Sequence, residues 1–400
     1  MKKTLAALAV LGAFAGTAAA ADVTLYGVVD TGFGYTYNKT TDFDGTSEDS
    51  NSLTMESGIN AGSRFGLKGV EDLGNGMKVG FKLENGFTSD DGKLGQGDRL
   101  FGREASLTVY SEHCGQLSFG RMGGLGSSLG TYDVVYGIGD AFDGGDWDVW
   151  GLASSSRYDN MLTYQSPKVY GLQATVQYSF KIDNKDTDTT KVEGESTADR
   201  YASVALTGEY GPAQAVVAYE LTKYSTRDRI NTPDMDDGNV IYVGGNYDFG
   251  VAKVFAMGQY FAGLRSFGNV FDDDEVGTVG NDFVLGKKGV EGYGLHLGTV
   301  VPVAAGELTV GAYYLDGTAK ADTRRSNVSK AKDMDMSYYG IAARYTYPLS
   351  NRTTVYVGGG YGEATADSLE AKKSQTLSGT YKDDAKDKTG TAYVGLTHTF

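Results

Sequence analysis

Apolar and polar residues alternate along nearly all of this 400-residue chain, and a period of two admits only strands with two unlike faces. Met77, Val79, Phe81 and Leu83 fall on one face, with Lys78, Gly80, Lys82 and Glu84 on the other. Leu172, Ala174, Val176, Tyr178 and Phe180 alternate with Gln173, Thr175, Gln177 and Ser179 in the same way. Tyr339, Ile341, Ala343, Tyr345 and Tyr347 alternate with Gly340, Ala342, Arg344 and Thr346. A soluble sandwich and a closed barrel share this pattern, so periodicity alone does not separate them.

The connections do. Strands are expected near 23–37, 57–69, 77–88, 99–112, 117–121, 157–166, 172–181 and 200–210. Eight more fall near 213–223, 239–248, 251–262, 292–302, 307–316, 335–346, 352–363 and 389–400. Short turns, such as those around Asn75-Gly76, Gly211-Pro212 and Phe249-Gly250, alternate with long polar loops such as 38–56, 122–156, 263–291 and 364–388. An even strand number with short turns at one rim and long loops at the other is the pattern of an outer-membrane barrel. A sandwich has no reason to sort its loops by length.

The expected fold is therefore all-β, a 16-stranded antiparallel transmembrane β-barrel with short periplasmic turns and long external loops. Sixteen strands enclose more space than side chains fill, so an aqueous channel follows from the strand number. Composition agrees: Gly 58, Tyr 28 and Pro 5 suit many strands and tight turns. No run of eighteen apolar residues follows the amino-terminal segment, so no membrane helix is available. The low mean hydropathy is no objection, because a barrel wall is apolar only on alternate residues. Tyr35, Tyr37, Tyr164, Tyr210, Tyr247, Phe249, Phe261, Tyr345, Tyr347 and Phe400 sit at strand ends, where two interfacial girdles are expected.

Met1-Lys2-Lys3, the apolar run from Thr4 to Gly16 and Ala18-Ala19-Ala20 have the layout of a secretory signal peptide. Cleavage after Ala20 or Ala21 fits, leaving 21–400 as a single barrel domain. The formal charge of −15 becomes about −17 once Lys2 and Lys3 leave with that peptide, which argues against a nucleic-acid partner. The acidic runs Asp42–Glu56, Asp183–Glu195, Asp234–Asp237 and Asp272–Glu275 read as solvated loops. Divalent-cation contact with lipopolysaccharide is the sharper reading of the same runs.

Segment 122–156 is the longest loop, and its composition is unlike that of a loop lying in water. Val134, Val135, Ile138, Phe142, Trp147, Val149 and Trp150 need a surface to pack on, so the loop is expected to fold inward against the barrel wall. Asp133, Asp140, Asp143, Asp146 and Asp148 then carry negative charge into the lumen. Arg64, Lys68, Arg103, Arg121 and Arg157 lie on strands or at strand ends. Arg64 and Lys68 share a face opposite Phe65 and Leu67, and Arg157 points inward if Tyr158, Leu162 and Tyr164 face lipid. Inward is the cheaper placement, since a charge at the lipid midplane costs about 2–4 kcal/mol. Alternation does not settle Arg103 or Arg121. A basic wall facing an acidic loop makes a transverse field across a narrow wet constriction.

No catalytic or cofactor chemistry is legible. His113, His296 and His398 lie on separate elements, and no nucleophile, base and orienting carboxylate fall at a recognisable spacing. His113-Cys114 offers too few ligands for zinc, and one cysteine makes no internal disulfide. No metal, cofactor or enzymatic activity is expected. Gly124-Leu-Gly-Ser-Ser-Leu-Gly130 has the wrong spacing for a dinucleotide loop.

Several segments are similar to those of the Gram-negative general porins, the β-proteobacterial (neisserial and comamonad-like) group above all. They are Val23–Gly27, Ser63–Gly76, Phe101–Glu104, Phe119–Arg121, Ser156–Pro167 and Gly395–Phe400. The likeness covers both ends and the first half; between about 182 and 335 only the strand rhythm is shared. It implies an outer-membrane homotrimer that passes small hydrophilic solutes and ions passively, with the third loop inside the lumen. It also implies an eyelet lined by arginines, matched directly by Arg64 and Arg157 and less closely by Arg103 and Arg121. Phe400 resembles the family's signal to the barrel-assembly machinery. Glu104, Thr397 and Thr399 depart from the family pattern, as does the turn Glu112-His113-Cys114. Glu104 and the five aspartates leave the sign of selectivity open. A substrate-specific channel and an adhesin-type barrel are the alternative functions.

Overall fold

The computed structural model describes residues 23–42, 45–149, 152, 155–226, 235–265, 285–321, 333–367 and 384–400. The expected leader, Trp150 and the acidic run Asp272–Glu275 lie outside them. Strands follow one another as β1 (Thr24–Thr41), β2 (Ser47–Ser57), β3 (Arg64–Gly74), β4 (Met77–Gly86), β5 (Glu104–Ser111) and β6 (Gly115–Gly123). Next come β7 (Arg157–Gln165), β8 (Leu172–Ser179), β9 (Arg200–Tyr210), β10 (Ala213–Lys223), β11 (Gly238–Asp248) and β12 (Lys253–Leu264). The last are β13 (Leu285–Val303), β14 (Gly306–Ala321), β15 (Met334–Ser350), β16 (Thr353–Ala366) and β17 (Ala385–Thr399).

Each strand pairs antiparallel with its neighbours, and β1 pairs with β17 to close the ring. Gly27 and Phe400 complete that seam, each amide donating to the other's carbonyl at 3.1 and 3.0 Å. The other edge of β1 pairs with β2 along 31–41 and with β3 along 24–28. These two segments therefore form one stave, interrupted at 58–63, and seventeen segments make sixteen staves. This corrects the expected loop 38–56: the chain stays in strand pairing, with only 42–46 between β1 and β2. Met55 stands opposite Phe33 and Leu53 opposite Tyr35, so an apolar outer row survives among many polar residues.

Turns at one rim are short. Asn75 and Gly76 both have positive φ (53° and 74°), as the tight hairpin between β3 and β4 requires. The outward rows are apolar and exposed: Val243, Leu297, Ile341 and Val394 stand free of protein, where lipid supplies their contacts. Nine of the ten girdle aromatics lie on this side or at its margins, and Phe261 does not. It shares inward parity with Met257 and Gln259 and is fully buried in the interior cluster.

Candidate functional site

The apolar interior is built from the loop between β6 and β7. Leu125, Val135, Tyr136, Phe142, Val149 and Leu152 pack on inward side chains of β9 to β16, among them Tyr201, Tyr242, Met257, Tyr313, Tyr338 and Ala364. Polar latches fix its course. Near its start, Glu220 on β10 accepts hydrogen bonds from the Gly126 amide (2.7 Å), Ser155 (3.1 Å), Tyr242 (3.2 Å) and Tyr201. A single helical turn, Tyr136–Gly139, then lies on β10–β12, and Asn246 donates to the Ile138 carbonyl at 2.8 Å. Asp140 accepts from Tyr313 (2.9 Å) and from the amides of Phe142 and Gly144, with His296 3.4 Å away. Farther along, Asp146 is ion-paired with Arg344 at 2.9 Å and accepts the Tyr393 hydroxyl. Burial pushes the Asp146 carboxyl upward, and the Arg344 charge opposes that shift. Trp147 meets the edge of Tyr393 and lies against Gly34 of β1, where any side chain would strike its ring.

The segment 58–63 also turns inward. Asp30 of β1, fully buried, accepts from Tyr356 at 2.7 Å and from Thr397, while its own amide donates to Ser63 at 3.1 Å. Ile59 joins Tyr356, Tyr393 and Trp147 in a small cluster, so the loop's far end meets this turn.

The inner wall from β3 to β7 meets the loop through its near arm, at Thr131 and Tyr132, and this wall is basic. Arg103 pairs with Glu84 at 2.8 Å, and Arg121 with Asp159 at 2.7 Å. Arg99 bridges Asp159 and Asp183, 2.7 Å from each. Lys82 sits 2.8 Å from Glu104 and 3.8 Å from Glu84, and the Glu84 carboxylate also accepts the Tyr26 hydroxyl. Lys68 lies over the Tyr26 ring, 5.1 Å from its centre. Arg157 lies within electrostatic reach of Arg103, Arg121 and Arg64, yet its Nε and Nη2 have no hydrogen-bond partner, nor has Nε of Arg64. No carboxylate pairs with Arg64 or Arg157 among the described residues.

A family model for the Gram-negative porins matches residues 6–367. The chain belongs to that family. An outer membrane porin protein of Bordetella pertussis is 32% identical over 94% of this chain and 97% of its own length. Among solved structures, an anion-selective porin from Comamonas acidovorans superposes with a TM-score of 0.58 at 23% identity, covering 95% of this chain and all of that one. The trimer form of OmpT from Vibrio cholerae gives a TM-score of 0.52 at 15% identity, covering 94% of this chain and 99% of that chain. This porin is thus a Gram-negative outer-membrane channel protein of β-proteobacterial type, and the family is one of channels rather than enzymes.

Within the porin barrel the five basic residues named from sequence gather on one wall, but alternation is not why Arg157 does so. Asn160 has φ +51°, the pairing of β6 with β7 shifts register there, and the Tyr158 ring lies tilted against Tyr201, 4.5 Å between centres, inside the barrel. The lipid-facing assignment of Tyr158 is corrected by that irregularity. Of the five aspartates, Asp140 and Asp146 turn to the wall. Asp133, Asp143 and Asp148 remain the loop's other carboxylates. Burial, and a hydrogen bond shared with Asp143, push Asp133 up to about 9. Burial and the Glu56 charge raise Asp148. Cys114 lies exposed in the turn between β5 and β6. Glu220, Asp30, Lys82, Glu84 and Arg99 went unmarked as site residues in the sequence. For the four on strands the one legible signal was a charge at inward parity within an otherwise apolar-polar strand, as with Glu220 between Tyr219 and Leu221; Arg99, between β4 and β5, carried none.

Proposed function

We propose that this porin passes small hydrophilic solutes and ions by passive diffusion through an eyelet between the basic wall and the lumenal loop, with a preference for anions. The carrying observation is the pair of guanidinium groups, Arg64 and Arg157, left without carboxylates on a wall where Arg103 and Arg121 have theirs. Seven cations (Arg64, Lys68, Lys82, Arg99, Arg103, Arg121 and Arg157) line that wall against four carboxylates, Glu84, Glu104, Asp159 and Asp183. On the lumenal loop, burial and the neighbouring Asp143 keep Asp133 protonated at neutral pH, which removes its share of the opposing charge. Low-dielectric walls concentrate the resulting field at the narrowest point, where it sorts ions by sign. The Comamonas protein, an anion-selective porin of the same fold, supports the sign.

Residues 1–20 fit a leader removed on export, and Phe400 fits recognition by the barrel-assembly machinery. The trimer form of a structural relative supports a homotrimer here. Lipopolysaccharide is the partner that suits the acidic external loops. Purified protein in a planar bilayer should show stepwise conductance, and a salt gradient should give a reversal potential of the anion-selective sign. Folded protein without conductance removes the channel, and a cation-selective sign removes the preference.

A further inference from the structure

Glu104 is the first residue of β5, directly across from Glu84 of β4, and only 2% exposed. Its two oxygens accept hydrogen bonds from Thr131 at 2.7 and 2.9 Å, one also accepts from Ser106 at 3.0 Å, and the other takes Lys82 at 2.8 Å. Lys82 Nζ in turn lies 3.3 Å from the Thr131 hydroxyl. Thr131 belongs to the lumenal loop, whereas Lys82 and Glu104 belong to the basic wall, so here the loop's near arm is clipped to that wall. The neighbouring residues fit the clip. Gly130 has φ +96° and its α-carbon faces Glu104, leaving room for the carboxylate. Next to Thr131, Tyr132 shares a hydrogen bond of 2.5 Å with Ser118 on β6 and accepts from Gln116 at 3.2 Å.

We propose that Glu104 is a specificity-determining residue: it withdraws the Lys82 charge from the passing ion while its oxygens hold the loop arm at the wall. Charge and position are then separable functions of one carboxylate. Glutamine at 104 keeps an oxygen for Thr131 but no longer neutralises Lys82. Removal of Lys82 leaves Glu104 as an uncompensated anion, and removal of both restores the original charge sum. This inference rests on the proposed eyelet, but its test does not depend on the sign of wild-type selectivity.

The experiment measures the anion-to-cation permeability ratio of the full-length porin in planar bilayers, from reversal potentials in a potassium chloride gradient. Relative to wild type, Glu104→Gln should raise the ratio about twofold, the opposite effects on anion and cation of one unit charge ~8 Å away in a water-like medium screened over ~10 Å by salt. Lys82→Met should lower it by about the same factor. The double variant should return to within the wild-type range, which a purely structural role does not produce. Thr131→Val, which removes the tether and no charge, should leave the ratio unchanged and increase open-channel noise. If Glu104→Gln fails to fold, Lys82→Met, which leaves Glu104 in place, still decides the question, and an unchanged ratio there overturns the proposal. An unchanged ratio in Glu104→Gln, or a double variant no nearer wild type than Lys82→Met, overturns the proposal. A cation-selective wild type in which these shifts still occur counts against the anion preference alone.

Discussion

Between β9 and β17, where the loop covers the inner wall, Glu220, Asp140 and Asp146 are buried and each accepts from at least two donors. Between β3 and β7, which the loop meets at its near arm, Arg64 and Arg157 have no carboxylate partner among the described residues and keep donor atoms with no acceptor. Both halves hold ionisable side chains inside the same barrel. The difference is whether water or protein solvates them. A buried carboxylate without partners is expensive, so on the covered half each of these three carboxylates is answered by hydroxyls, amides or a guanidinium. On the basic half an unanswered guanidinium is tolerable because the channel is wet, and its field remains available to a passing ion.

The largest expected effect is on the covered half. Asp146→Ala removes the Arg344 partner and the Tyr393 acceptor together, and breaking a buried pair in this way costs about 3–5 kcal/mol. That is comparable with what burial of Val149 and Leu152 contributes, at about 1.5–3 kcal/mol each, so the loop's far end loses much of its anchorage. Single-channel traces should therefore show a higher, noisier open conductance while the ion preference keeps its sign. Wild-type conductance and noise in that variant would mean that Asp146 does not anchor the loop.

On the basic half the order reverses, with selectivity changing and architecture unaffected. The double substitution of Arg64 and Arg157 by Ala should cut the anion-to-cation permeability ratio about fivefold, and Arg157→Ala alone about twofold, for charges ~8 Å from the ion screened over ~10 Å by salt. Because neither guanidinium has a carboxylate, resistance to heat denaturation should not fall. A destabilised double variant with unaltered reversal potential would assign these arginines to structure and erase the contrast.

A smaller effect separates the two halves by pH. Asp133 is protonated at neutral pH and gains its charge as pH climbs through about 9. The added negative charge opposes the arginine wall, so anion preference should decline by less than about twofold between pH 7 and pH 10. Lysines begin to titrate near 10.4 and act in the same direction, so Asp133→Asn is the control. The variant should retain only the shallow lysine slope. Equal slopes in the two proteins would show that Asp133 does not titrate toward the pore.

Much of the barrel was legible because strand alternation is a local consequence of backbone geometry. Val394, Leu396 and Phe400 could be set on the lipid face from their spacing alone, and the seam between β1 and β17 places them there. The inward course of the loop was legible from Val135, Phe142 and Val149, which have no use in water. Alternation failed at Asn160, where an irregularity of register sent Tyr158 inside, and at Phe261, whose place near a strand end suggested a girdle. It also gave no notice that 38–56 continues the sheet, because a strand formed largely of polar residues carries no apolar rhythm.

The sequence by itself determined a ring of two-faced strands, wide enough to stay hollow, and the inventory of charges inside it. Which of those charges remain free was decided only in three dimensions. Asp140 and Asp143 are close in sequence and alike in chemistry, yet one is buried against Tyr313 and His296 and the other is exposed. Arg103 and Arg157 stand on the same wall, and only the first has a carboxylate. Period and composition follow from each residue's own backbone and side chain. Neutralisation depends on distance between residues far apart in the chain, and closure of the barrel sets those distances.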